Sequence, residues 1–580
     1  MSRVYRILSA VLSVALALSL ESGARALAAD GPSPFAVFVD DYFNASFEAR
    51  PSRGTGAGLH QYDDRLEDGS AEAVKKRIEV AKTLLARLDK LRAGSLSEDE
   101  AIDAEVLDGK LKGELLDLVT LETWRHNPMF YIRGPAGSID GLMKRDFAPP
   151  VTRLRSVVAR LKAAPAMFQA LRANIDNPPK EFTDLAIRMG AGSIGFFQHT
   201  VRDWATKAAG NDAELLKEFN AADDEVVKAI TETVGWMKRE LLPRSHGNYA
   251  LGADAFSKKL LYEELVDIPL DRLLAIGEAN LKRDQEAFRV VAAKIDPSKT
   301  PAEVMKALSN DHPAEEDLIP SALRTIEKCR TFLLDKHIVT VPSEVRPTVL
   351  ETPPYARGGS FASMDTPGAY ETKATEAFYY VTPTEKNWTA THKEEHLRLF
   401  NAPVMQIITI HEAFPGHYIQ FLFSKQYPTK VRKLTFCGTN VEGWAHYTEQ
   451  MALEEGYGNG DPKIQLAQLS EAILRDCRYV VGIKLHTQGM TVEEGAKVFE
   501  AGFQEPANAF EEARRGAYNP TYLYYTLGKL QIYKLRDDYR KAKGADFKLE
   551  TFHNEFVRQG GIPIKLIRRI LIPGDTGATL

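Results

Sequence analysis

At 580 residues the chain is long enough for several average domains or for one large helical body with a connected core. Lys and Arg number 74 against 79 Asp and Glu, a formal net charge of −5 without long runs of one sign, so nucleic acid lacks the basic surface it would need. Three cysteines, Cys329, Cys437 and Cys477, with no C-x-x-C pair, exclude a disulfide scaffold and a thiolate metal site.

Residues 1–28 have the layout of an export signal. Arg3 and Arg6 precede the apolar run ILSAVLSVALALSL (Ile7 to Leu20), and Ala26-Leu27-Ala28 forms a small-x-small cleavage site. The run is too short for an ordinary membrane span. The alternative, an uncleaved anchor, does not account for the alanine site. No cysteine stands there to accept a lipid. The expectation is an exported protein, periplasmic or secreted, without stable membrane insertion after cleavage.

Residues 29–336 are predicted to form an N-terminal helical region. AEAVKKRIEVAKTLLARLDKL (Ala71 to Leu91) and AIDAEVLDGKLKGELLDLVTLETW (Ala101 to Trp124) repeat apolar residues at steps of three and four. RGPAGSID (Arg133 to Asp140) and DNPPKEF (Asp176 to Phe182) read as turns between helices. From about His337 to Thr382 the pattern changes to short β-branched or aromatic segments, HIVTV, PTVLE, GGSFASMD and EAFYYVT, bounded by Pro and Gly. These predict a small sheet, which either braces the helices or offers an edge to an extended peptide. Helical pattern resumes near Thr391. No linker or low-complexity tract divides the chain, so residues 337–580 read as continuous with the helical region before them. The fold class is mainly α, a large helical architecture around a cleft with a small β-sheet near residues 337–382.

The chemistry concentrates in ITIHEAFPGHYIQ (Ile408 to Gln420). His411 followed by Glu412 offers one metal ligand and one proton acceptor at adjacent positions, but His417 lies six residues on rather than four. On an ideal helix that step leaves the two side chains about 120° apart and about 9 Å apart along the axis. Pro415 clashes with the carbonyl four residues back, that of His411, and Gly416 relaxes the backbone, so the pair can break the helix and swing His417 round. Either the break assembles a metal site, or a helix merely ends among histidines. Downstream, TNVEGWAHYTEQMALEE (Thr439 to Glu455) places Glu442, His446 and Glu449 at steps of four and seven, a polar stripe amid Trp444, Met451 and Leu453 that needs partners.

HEAFPGH followed by EGWAHYTE resembles a bacterial family catalogued as a domain of unknown function, number 885, whose members carry HE-x-x-PGH and EGWA-x-Y. It is also similar to gluzincin-type zinc peptidases, in which a downstream helix supplies a glutamate ligand. The resemblance implies one Zn2+ ion held by His411, His417 and Glu442, with Glu412 as general base and His446 and Glu449 orienting the ligands. CRYVVGIKLH (Cys477 to His486) resembles a further family segment, departing at Gly482, where aspartate is usual, and at Lys484, where glycine is usual. NPTYLYYTLGKLQIYKLR (Asn519 to Arg536) is similar to another. From these the resemblance implies Tyr525 and His486 as catalytic donors to a charged carbonyl oxygen. Arg478 is a candidate in the same place, and Arg514 and Arg515 are candidate clamps for a peptide carboxylate. The expectation is an exported zinc metallopeptidase with a peptide as substrate. The alternative is a non-catalytic exported helical binding or scaffold protein with a structural metal or ligand pocket.

Overall fold

The computed structural model describes residues 31–357, 361–575 and 577–580, so the leader expected over residues 1–28 lies outside the described residues. The fold is mainly α with one small sheet. Several of its helices begin where the sequence supplies caps. Ser97 with Glu100 and Thr300 with Glu303 form reciprocal capping boxes, and Ser70 caps the helix Ala71–Arg92.

Helix α1 (Met129–Met143) contradicts the turn expected over Arg133 to Asp140. Ile132, Pro135, Ala136, Ile139 and Leu142 share one buried face, and that burial outweighs the helix-breaking tendency of Pro135 and the three glycines. Gly134, Gly137 and Gly141 face the other way, where a Cβ at any of them would meet nothing within 4 Å. Helix α2 (Pro150–Asn174) packs against α1, and with the helices up to Leu241 the two enclose a core of their own. Helix α3 (Leu270–Ile295) follows.

The sheet has three strands, β1 (Thr348–Glu351), β2 (Ala362–Asp365) and β3 (Phe378–Val381), in the order β1-β3-β2. β3 pairs parallel with β1 and antiparallel with β2, which sets Tyr379 opposite both Val349 and Met364. All four β3 residues are buried, as befits the central strand. HIVTV forms no strand. Ile338 and Val339 are buried in the core, while the Ile338 carbonyl and the Thr340 amide are taken by His553 and Asn554 and are lost to a ladder. Of GGSFASMD, β2 takes the last four residues, and Gly358–Ser360 lie outside the described residues.

The remaining helices that build the site are α4 (Ala402–Glu412), α5 (His417–Leu422), α6 (Gly438–Glu454), α7 (Pro462–Thr487), α8 (Pro506–Tyr518) and α9 (Tyr524–Lys543). α6 packs along α9, α3 along α7, and α4 lies against both α6 and α7. One core joins Phe38 and Leu107 from the N-terminal helices to Tyr379 of the sheet, Ile410 of α4, Trp444 of α6 and Phe556 near the C-terminus. All three cysteines are free and buried, so Cys437 and Cys477 do not pair.

Candidate metal centre

Asn401 caps α4 by accepting the Val404 amide at 3.2 Å, and the helix then runs to Glu412. It breaks over 413–416 and restarts as α5 at His417. At the break the Gly416 amide donates to the Ile410 carbonyl at 2.9 Å. A Cβ at position 416 would stand 1.7 Å from the His411 carbonyl oxygen and 2.4 Å from that of Ile410. Glycine is therefore required by close approach of the chain to itself, not by a left-handed backbone, since φ is −71°. Trp444 on α6 holds the break in place, its indole N–H donating to the Pro415 carbonyl at 3.0 Å and lying 3.3 Å from that of Gly416. The outcome is that the His411 and His417 rings stand nearly perpendicular with centroids 4.9 Å apart.

Glu442, on the first turns of α6, completes a group of three. Its Oε2 lies 3.5 Å from His417 Nε2 and 3.7 Å from His411 Nε2, and the three donor atoms all fall within 4.8 Å of one another. Those separations exceed an N–H···O hydrogen bond of about 2.7–3.2 Å. The two Glu442 separations fall in or just beyond the roughly 3.3–3.6 Å between donors placed tetrahedrally around zinc with bonds of about 2.0–2.2 Å. Two imidazoles and a carboxylate are also the donor types zinc takes. Burial alone would raise the Glu442 carboxyl, but the two histidines outweigh it and hold it well below the usual carboxylate range.

Behind His411 stands Glu449, with Oε1 2.7 Å from His411 Nδ1. A carboxylate there selects the tautomer that turns Nε2 toward Glu442. Glu449 is itself fully buried and is steadied by Arg475 at 3.4 Å and by His446 Nδ1 at 3.2 Å. His446 therefore supports Glu449 rather than touching a ligand. Burial and the nearby Lys529 ammonium push its pKa down to about 3, which keeps the ring neutral. Glu412 is 8 % exposed and makes no hydrogen bond or ion pair among the described residues.

Tyr525 joins the cluster. Its ring stacks on His411 with centroids 6.3 Å apart, and the Arg475 and Arg478 guanidinium carbons lie 5.6 and 5.3 Å from the ring centroid. Burial and the Glu442 carboxylate push its hydroxyl up, against the pull of three arginines. What brings α9 so close to α6 is a pair of glycines. A Cβ on Gly443 would lie 2.5 Å from the Gly528 Cα, and one on Gly528 would lie 1.9 Å from the Thr439 carbonyl oxygen. Gly528→Ala is expected to force α9 away from α6 and cost about 1–3 kcal/mol of stability. Thermal unfolding against the wild type checks this, and an unchanged melting temperature would contradict the close-packing account.

The remaining candidates correct the expectation. His486 lies eleven residues beyond Arg475 on α7, about 16 Å along the axis. Its Nε2 faces the Gly516 carbonyl at 2.9 Å and its ring stacks on Phe256, so it is a packing residue away from the metal group. Arg478 is buried and spends its guanidinium on Glu512, at 2.8 and 2.9 Å, which leaves it supporting the Tyr525 ring rather than free to grip a substrate. Arg514 pairs with Glu511 at 3.3 Å. Arg515 lies 3.9 Å from Glu512, and its charge reaches Tyr525. Gly482 faces Tyr522, whose Cβ a side chain there would approach to 3.3 Å. Arg475 and Glu512 were not foreseen, because nothing in their local spacing marks them.

The sequence profile of a family described as "Bacterial protein of unknown function (DUF885)" matches residues 51–571. Among solved structures, a "putative lipoprotein of unknown function" from Shewanella oneidensis is similar at 28 % identity and a TM-score of 0.76, covering 93 % of this chain and all of that one. A "putative lipoprotein" from Colwellia psychrerythraea shares the fold at 18 % identity and a TM-score of 0.78, covering 93 % of this chain and 98 % of that one. No curated protein matches the chain.

Proposed function

The chain belongs to the bacterial family of unknown function DUF885, and we propose that it is an exported zinc-dependent hydrolase, a metallopeptidase. The observation that carries this reading is the convergence of His411, His417 and Glu442 on one point, at separations too long for hydrogen bonds and suited to an ion. Three donors rather than four support a catalytic site over a closed structural one. Export draws on the leader pattern and on the description of two solved relatives as lipoproteins. Among the described residues no helix is long and apolar enough to cross a membrane.

Zinc bound there supplies Lewis acidity, polarising a carbonyl oxygen and lowering the pKa of water. The protein's own groups do the rest. Glu412, adjacent to His411 and unpaired, takes a proton from the attacking water and passes it to the amide nitrogen as the C–N bond breaks. Tyr525, beside Glu442, donates its hydroxyl hydrogen to the oxygen on which charge grows. Glu449, backed by His446 and Arg475, keeps His411 facing inward.

Elemental analysis of the purified full chain should give one zinc per molecule, lost in His417→Ala; an absence of metal from the wild type, even after incubation with zinc, would sink the proposal. The affinity should also depend on pH. Burial lowers the His411 pKa, but Glu442 and Glu449 together outweigh it and raise it to about 9 from the ordinary 6.5. In the metal-free protein this proton therefore stabilises the fold fully below pH 6.5, and that contribution is lost as pH rises through 9. Zinc must displace the same proton, so its apparent affinity should climb about tenfold per pH unit up to pH 9 and then level off. Competition against a chromophoric chelator across this range measures the slope, and a flat profile below pH 8 contradicts it.

A further inference from the structure

A cavity of about 660 Å³ opens between α1 and the segment that follows β2, within the range of roughly 300–1,000 Å³ typical of ligand sites. One wall is the bare face of α1, where Gly134, Gly137 and Gly141 leave open space. The other is Asp365 to Gly368, and Tyr518 closes one end. None of His411, His417 and Glu442 lines the cavity, but runs of contacts lead from two of its walls toward them. Asp365 follows Met364, which pairs with Tyr379, and the Tyr379 hydroxyl meets Thr409 of α4 at 3.4 Å. Tyr518 ends α8 three residues after Arg515, whose charge reaches Tyr525 on His411.

Among the described residues, two of the cavity's four permanently cationic side chains lack a carboxylate contact. Lys144 and Arg145 both bind Asp365, and Lys144 also lies 3.8 Å from Asp140. His60 is held between Asp63 and Glu371. Arg160, on the floor, is 1 % exposed and gives its hydrogens to neutral acceptors, the Ser138 carbonyl at 2.5 Å, the Thr55 hydroxyl at 2.6 Å and the Tyr62 carbonyl at 3.2 Å. Its Nε has no partner, and Asp63 is joined to it only through Thr55. Arg133, at the rim, is exposed and makes no ion pair among the described residues. A buried guanidinium without a direct carboxylate partner is costly, and an anion entering the cavity would relieve that cost.

We infer that this cavity binds a carboxylate of the substrate at a point remote from the bond being cleaved. Arg133 forms the ion pair and Arg160 supplies a fixed positive field. The carboxylate is a peptide's C-terminus or an acidic side chain, with Phe130 and Met189 on the lining for neighbouring apolar groups. The kind of ligand rests on the peptidase reading, whereas the lack of a carboxylate contact at Arg133 and Arg160 does not.

The test is binding to the full-length Glu412→Gln variant, with zinc and after chelation, read by fluorescence anisotropy. Three probes are used: dansyl-Ala-Phe-Ala-Ala-Ala with a free C-terminus, its C-terminal amide, and that amide with its fourth residue replaced by glutamate. At least one anionic probe should bind about 10- to 100-fold more tightly than the neutral amide, and which one does so identifies the source of the carboxylate. Arg133→Glu should abolish the preference while leaving the neutral amide unaffected. Gly137→Leu, whose Cβ meets no neighbour, should weaken all three probes by filling the cavity. Equal binding of the three, a preference that survives Arg133→Glu, or no binding up to millimolar probe overturns the inference. A preference that persists in protein devoid of zinc upholds it even if the metallopeptidase reading fails.

Discussion

Replacing Glu412 by glutamine should leave one zinc bound per chain and lower kcat for peptide cleavage by about 10²- to 10⁴-fold, the usual contribution of a general base. That corresponds to roughly 3–5 kcal/mol in the barrier. The substitution keeps the size and shape of the side chain and removes only its capacity to accept a proton. Glu412 makes no hydrogen bond or ion pair among the described residues, so glutamine disrupts no existing network. Glu449 provides the contrast. It is fully buried and tied to His411, His446 and Arg475, so Glu449→Gln should weaken zinc binding itself by about 10- to 100-fold. The two variants separate proton transfer from ligand support. Undiminished cleavage in Glu412→Gln would falsify the role assigned to this carboxylate, and loss of zinc would make it a ligand instead. A protein that binds zinc normally but cleaves no peptide even as wild type would favour the structural-metal alternative.

The grouping of His411, His417 and Glu442 was legible in the sequence because the three residues sit in two short motifs that resemble one family's. The same motifs also contain the less obvious residues that make the geometry work. Trp444 lies two positions from Glu442 and clamps the break between the histidines, while Gly443 admits α9 and so delivers Tyr525. His486 was expected at the site from the resemblance of its segment alone. It lies eleven residues beyond Arg475 on α7, about 16 Å along the axis, and a matched segment carries no such distance. Arg133 to Asp140 looks like a turn because Pro and Gly punctuate it, yet Ile132, Ala136, Ile139 and Leu142 supply enough burial to carry a helix through. HIVTV has strand composition, but His553 and Asn554 of a C-terminal helix take the Ile338 carbonyl and the Thr340 amide, two groups a ladder would use. Glu512 and Arg475 have no local signature at all. Their roles depend on which helices become neighbours, and spacing within one helix carries no such information.

Gly416→Ala should abolish zinc binding at micromolar metal with little loss of helix content. An alanine Cβ would begin 1.7 Å from the His411 carbonyl oxygen, where real contacts are at least 3.0 Å, and 2.4 Å from both the His411 carbonyl carbon and the Ile410 oxygen. These are backbone atoms of α4, so no side chain can swing aside to make room. The end of α4 and the start of α5 must separate, and the Gly416 amide loses its bond to Ile410. Zinc ligands tolerate displacements of only about 0.2 Å, so a shift on this scale takes His417 out of the set. Losing the geometry of one ligand should cost more than the roughly 10- to 100-fold associated with a disturbed supporting residue. Trp444→Phe tests the same break from its other side. It keeps the aromatic packing against Tyr447 and Phe556 but removes the N–H that holds the Pro415 carbonyl, and a smaller loss of zinc affinity is expected. If Gly416→Ala binds zinc as tightly as the wild type, the two histidines do not depend on this close approach, and the site is assembled in some other way. If affinity falls steeply in Gly416→Ala and partly in Trp444→Phe while both remain folded, the interruption between His411 and His417 is what allows a six-residue spacing to form a metal site.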